Sequence, residues 1–406
     1  MPPEVTPLVH EKPDPAKLPA EAGARFVGKS APRPGLRPHR SASGKGPWGQ
    51  IDRVPFFLEA PHHLIERFPL PNPKPRWFAT AAEASQVLDR LVRAGLPGDL
   101  LQAINQPANR AIVGDQIVFF PPALSVLQLP PEVRASIYRE LRRFPANVDM
   151  VGPVVIANND VDDWFSQSRL RPDLVALIKR MCYPRGDALV FSDAAVLMGH
   201  VQGETEARLL ARALSRTRTL MAKLVFDGSS KVAEMTAYWT TGPNRRMRNI
   251  GAILQSIAAL PEGNTLDLAH LLPGLARNLL FSYPDVSMVA HGQVPDCHWT
   301  SLNFFKPTPE PLYLDTRIAT SVVLESYNQV KPPYHFGDLL VLLDNLQGNA
   351  FHSCVYIADD IVFTKNGRNL LSPWVFQSLD HLKKTYLFEN NGRIQGYRAK
   401  ESLGVI

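Results

Sequence analysis

Cys297 stands in the run "DCHWTSLNFF", and fifty-five residues later His352 stands in "FHSCVYI". A thiol and an imidazole are the working groups of a thiol hydrolase. The sulfur attacks a carbonyl, and the imidazole takes the proton and returns it to the leaving group. A free thiol, with a pKa of about 8.5, is mostly protonated at neutral pH. Asp296 is a good helix N-cap and would put Cys297 in the first turn, where unpaired N–H groups and the helix dipole favour a negative sulfur. The same N–H groups, with that of Cys297 itself, are placed to form an oxyanion hole. His298 and Trp299, next along the chain, are expected to wall a substrate cleft.

The imidazole needs a third group to orient it. "ADD" (358–360) reads as a three-residue turn between two strands. Ile357 then pairs with Ile361, and His352 lies opposite Asn366. Thr364 falls on the same face, one step nearer the turn, while Lys365 points away. Both Asn and Thr side chains can accept from an imidazole N–H. Asn366 is the first choice and Thr364 the second, because a slip of one residue exchanges the two faces of a strand.

The remaining chemistry-bearing residues have plainer roles. Cys354 alternates with His352 and is expected to pack beneath the site. Cys182 ends an apolar helix and is expected in the core. His291, Cys297, His298 and His352 lack the helical H-x-x-x-H spacing of a zinc site, so no metal and no cofactor is expected. "NNDVDD" (158–163) lacks the glycine and the closing Glu of a calcium loop and reads as a capped helix start. Asp359 and Asp360 suit a turn.

The elements that must position these groups divide the chain in four. Residues 1–50 hold ten prolines and little apolar content; they are expected to be a disordered tail. Residues 51–79 read as an extended Pro/aromatic segment packed on a later domain. Residues 80–285 read as a mostly α-helical domain of unassigned role. It opens at a Thr80/Glu83 capping box and contains one ambiguous stretch, "TLMAKLVF" (219–226). Residues 286–406 carry a helix from Cys297, one at 316–329, strands at 337–344, 351–357 and 361–367, a helix at 373–386 and a strand at 393–399. Strands this close, with short turns, form an antiparallel meander. The expected class is α+β.

Residues 290–400 resemble the NlpC-type branch of the papain-like cysteine peptidase superfamily. The matching pieces are Cys297 in "DCHWTSLNFF", the strand "GDLLVLL", and His352 in "HSCVYIADDIVF". The resemblance covers about a quarter of the chain. It implies a papain-like domain in which an antiparallel sheet meets a nucleophile-bearing helix. It also implies a thiol hydrolase acting on peptide or amide bonds, often in peptidoglycan, with Cys297 as nucleophile and His352 as base. In that family the third polar position is more often His, Gln or Asn, so Thr364 there would be a departure. Two alternatives stay open: an inactive papain-like binding or scaffold protein, and a thiol acyltransferase. Acyltransferases of the permuted type place His before the nucleophile, which is the reverse of the order here.

Bulk properties exclude some classes. The chain has 406 residues, 45% hydrophobic, with a formal net charge of +6. Its densest basic runs, "NRRMRN" and "RELRRF", do not interleave aromatics, so no nucleic-acid partner is expected. No stretch of eighteen apolar residues is present, so no membrane span is expected. Three cysteines do not make a disulfide framework. The N-terminus lacks the apolar core of a signal peptide. The protein is periplasmic or extracellular if a leader was removed, and otherwise cytoplasmic. Substrate identity and oligomeric state are not legible.

Overall fold

The alternating apolar runs beyond residue 326 become a six-stranded antiparallel sheet in the computed structural model of the chain. The structure describes residues 41–42, 45–242, 247–260, 264–290, 292–387 and 391–400, so most of the expected 1–50 tail lies outside the described residues. The sheet runs in the order Tyr327–Val330, Gly392–Ala399, Leu339–Asp344, Ala350–Ala358, Ile361–Lys365, Trp374–Ser378. Its two central strands, Leu339–Asp344 and Ala350–Ala358, are largely buried. The helices Cys297–Leu302 and Thr316–Ser326 lie on one side. The helix Leu379–Tyr386 lies on the other, over a small cluster of Leu340, Leu342, Cys354, Tyr356, Val362 and Leu382.

The expected helix over 373–386 is corrected. Trp374–Ser378 is the sixth strand, and the helix begins only at Leu379. Trp374, Val375 and Phe376 are all buried, so this strand is covered on both faces and lacks the alternation that marks an edge strand. Ser378 sets the change by capping the helix, its hydroxyl accepting the His381 N–H at 3.1 Å.

The chain upstream is mixed as well, with a four-stranded and two three-stranded antiparallel sheets among the described residues. The molecule is therefore α+β with antiparallel sheets. The extended segment after residue 50 begins as the strand Gln50–Leu58, paired along its nine residues with Thr217–Val225. That pairing decides the ambiguous 219–226 stretch in favour of strand.

The apolar clusters do not follow the expected division at 285/286. One apolar cluster gathers residues from Trp77 to Ala213. A second joins Ile51, Trp239, Leu268 and Leu271 to Trp299 of the Cys297–Leu302 helix, to Phe304 after it and to Phe363 of the C-terminal sheet, so residue 285 falls inside it. Tyr238 pins the two stretches together by donating to the Ile357 carbonyl at 2.7 Å. The cores part near residue 215 instead.

Candidate active site

Asp296 caps the Cys297–Leu302 helix, its carboxylate accepting the Trp299 N–H at 2.9 Å. The other carboxylate oxygen accepts from Arg368 at 2.7 Å, and Arg368 also donates to the Leu314 carbonyl. Thr300 accepts from the Trp374 indole at 2.9 Å, which fixes the helix against the sixth strand. The helix packs on the strands Ala350–Ala358 and Ile361–Lys365. Cys297 is therefore buried, at 5% exposure. Burial, and then the neighbouring Asp296 carboxylate, push its thiol up to about 11. The backbone N–H groups of Ser353, His298 and Cys297 itself face the sulfur and pull the other way.

His352 is 1% exposed on the opposite side of its strand. Its Nε2 lies 3.1 Å from the Thr364 hydroxyl, which itself donates to the Ser353 carbonyl at 3.3 Å. A hydroxyl has one proton to give. With that proton on Ser353, the Thr364 oxygen accepts from Nε2–H, and Nδ1 is left as the basic nitrogen. The Tyr386 ring stacks on the imidazole, centroid to centroid at 4.0 Å. Burial, with a smaller contribution from His298, lowers the imidazole to about 3. No hydrogen bond joins the sulfur to the imidazole. Ser353, which follows His352, turns its side chain to the helix that Cys297 opens, so thiol and imidazole lie on opposite sides of the strand. Thiol and imidazole are both neutral at rest near pH 7.

Asn366, the first choice as orienting residue, does not hold the imidazole. Val355 pairs with Phe363 and Tyr356 with Val362, which continues to set His352 opposite position 366. The strand ends at Lys365, however, and the Asn366 Oδ1 is buried without a hydrogen-bond partner. Strand twist brings the diagonal neighbour, Thr364, under the ring instead. The turn is two residues, Asp359–Asp360, with a bulge beside it and Asp359 at φ 56°. Both aspartates pair with Arg53.

Compared with family models, curated proteins and solved structures, the chain matches none.

Of the two expected cleft residues, only His298 lines a cavity. Its Nδ1 lies 3.1 Å from the Ser353 hydroxyl, which reaches Ser301 at 3.1 Å. Trp299 is buried against Trp374 in the second apolar cluster and cannot wall a cleft; helical spacing turns it to the core. Cys354 and Cys182 are buried thiols, both raised by desolvation, Cys182 to about 12. Among the described residues no cluster of His, Cys, Asp and Glu could hold a metal, and His291 lies outside them.

Sequence reasoning passed over Lys365. It is fully buried, and its ammonium donates to the Gly367 and Asn369 carbonyls at 2.8 and 2.9 Å. Burial lowers it to about 8, against the pull of Asp296 and Cys297. It fixes the loop that carries Arg368 to the Asp296 cap. The available signal was its alternation with Thr364, which aims it at the face that carries the Cys297 helix.

Proposed function

We propose that the protein is a cysteine hydrolase of the papain-like, NlpC-type arrangement that cleaves a peptide or amide bond, with peptidoglycan peptides as the substrates to try first. One observation carries the reading. Cys297 opens a helix that Asp296 caps and that packs on the strand carrying His352, whose Nε2 lies 3.1 Å from the Thr364 hydroxyl. The two groups share one strand–helix pair but lie on opposite sides of the strand, so the reading requires the imidazole to reach the thiol around it. Because both groups are neutral at rest, the proton passes from sulfur to Nδ1 as the sulfur attacks. The carbonyl oxygen becomes an oxyanion stabilised by first-turn amides. The amine departs with the proton from His352, and water then releases the acyl group from sulfur.

Mass spectrometry of peptidoglycan fragments incubated with the protein tests this. New amine and carboxylate ends are expected with the wild type and none with Cys297→Ser or His352→Ala. A binding protein that keeps this arrangement without turnover is the second reading. It is favoured by the burial of both groups and by the Tyr386 stack. It predicts retained peptide fragments, uncut, with all three proteins.

A further inference from the structure

A cavity of about 410 Å³ opens beside the nucleophile, between the Thr316–Ser326 helix and the central strands. This volume lies in the range of small-molecule sites, roughly 300–1,000 Å³. Val323, Leu324, Val341 and Leu343 line it, and no Asp, Glu, Lys or Arg does. Its polar groups are His298, Ser353, Thr316, Thr320, Asn349 and Tyr397. His298 follows Cys297 directly, and the Ser353 hydroxyl reaches both His298 and Ser301 of the same helix. The cavity therefore extends to the residue next to the reacting atom. His298 is itself kept neutral, chiefly by burial. A carboxylate or ammonium entering here would lose hydration and meet no opposite charge, only neutral hydroxyl, amide and imidazole groups. An aliphatic chain would lose only its contact with water, a gain for each methylene buried.

We infer that this cavity takes an aliphatic group on the acyl side of the bond cut at Cys297; the inference rests on the hydrolase reading. The scissile carbonyl then sits at the sulfur with its chain running past Ser353 toward Val323. The sulfur bonds to the acyl carbon, the carbon–nitrogen bond breaks, and the thiol proton leaves on the amine by way of His352. Water next adds to the thioester, giving the aliphatic acid and restoring the thiol. The chain is either a lipid-type acyl group or the side chain of a residue such as leucine, and the two differ in length and in the neighbouring peptide groups.

Binding to the full-length Cys297→Ser protein separates the cavity from the chemistry. Acetamide, butyramide, octanamide and N-acetyl-leucinamide are titrated by calorimetry. Among the simple amides, affinity is expected to rise about threefold to fourfold per added methylene. It should fall at least tenfold in Val323→Trp, which fills the cavity. Leu324→Glu, at an exposed rim position, is the second variant and should have the same effect without disturbing the core. Preference for octanamide assigns a lipid-type chain, and preference for N-acetyl-leucinamide assigns a side chain. No gain with chain length, or gain unchanged in both variants, overturns the cavity assignment whatever Cys297 does. Chain-length-dependent binding combined with a wild-type thiol that p-nitrophenyl octanoate fails to acylate, read by intact mass, overturns its link to Cys297.

Discussion

Thr364 decides which nitrogen of His352 is basic, so its hydroxyl should be worth more to the fold than its size suggests. Thr364→Val keeps the shape and leaves a buried Nε2–H without an acceptor. The expected cost is about 1–3 kcal/mol by urea denaturation, with Thr364→Ser close to wild type. Equal stability of the Val and Ser variants would show that the contact holds nothing. The imidazole also sets an acid limit. His352 and His381 are lowered to about 3 and about 4, both mainly by burial. Folded, they stay neutral; unfolded, they take protons near pH 6.5. The unfolded chain binds more protons between these values, so stability is full above about pH 6.5 and declines as pH falls toward 3. His352→Gln, whose amide can still donate to Thr364, should flatten part of that slope in urea titrations at pH 7, 5.5 and 4. An unchanged slope would mean that His352 is not held neutral. The Asp296 cap before Cys297 and the strand that carries His352 were legible because both are local signals. Trp299 and Lys365 were not, since a pattern gives the face of a residue and not what covers that face.

The hairpin that carries His352 was legible as an element because its apolar runs and aspartate turn are local signals. Its register away from the turn was as expected. The orienting residue was missed because strand twist, a property of the folded pair, chooses the diagonal neighbour. The sixth strand was missed for a related reason: burial on both faces removes the period of two. The "GDL" segment shows what a motif can and cannot say. Asp338 accepts two bonds from Arg398 at 2.7 Å and one from the His335 N–H at 2.7 Å, none of it visible in the three letters. Gly337 before it has φ +88°, and a Cβ there would meet the Phe305 ring at 2.4 Å. Gly337→Ala is therefore expected to cost about 1–3 kcal/mol of backbone strain, with overpacking in addition. Gly348, at φ +74° with open space around it, isolates the strain component. In thermal unfolding Gly337→Ala should lower the midpoint more than Gly348→Ala does. Equal shifts would remove the packing contribution.

Two cores share the chain, and composition gave no hint of where they part. The strand Thr217–Val225 leads from one to the other by pairing with Gln50–Leu58, a contact across more than 150 residues that no local pattern encodes. The seam between them is largely polar. Arg216 reaches Glu59 and the Trp164 carbonyl, Arg218 pairs with Asp163 at 2.7 Å, and Phe57 adds apolar contact with the first cluster. A seam of this kind lets one core open without the other. The first core also contains a separate liability. Arg134 is fully buried, donates to Asp193 and to the Val126 carbonyl at 2.7 Å, and Tyr138 donates to the same carboxylate. Asp193→Ala leaves that guanidinium without its counter-charge, a loss of about 3–5 kcal/mol. The loss should fall on the first core. In hydrogen exchange of the full chain, amides of Pro131–Leu141 and Pro172–Met181 are expected to lose protection by a hundredfold or more. Those of Ala350–Ala358 should keep theirs. Alkylation of Cys297 by iodoacetamide should keep its wild-type rate, because the Cys297 helix packs on the second core. Equal loss of protection in both regions would make the molecule one cooperative unit, and the candidate site would then depend on every part of residues 77–213.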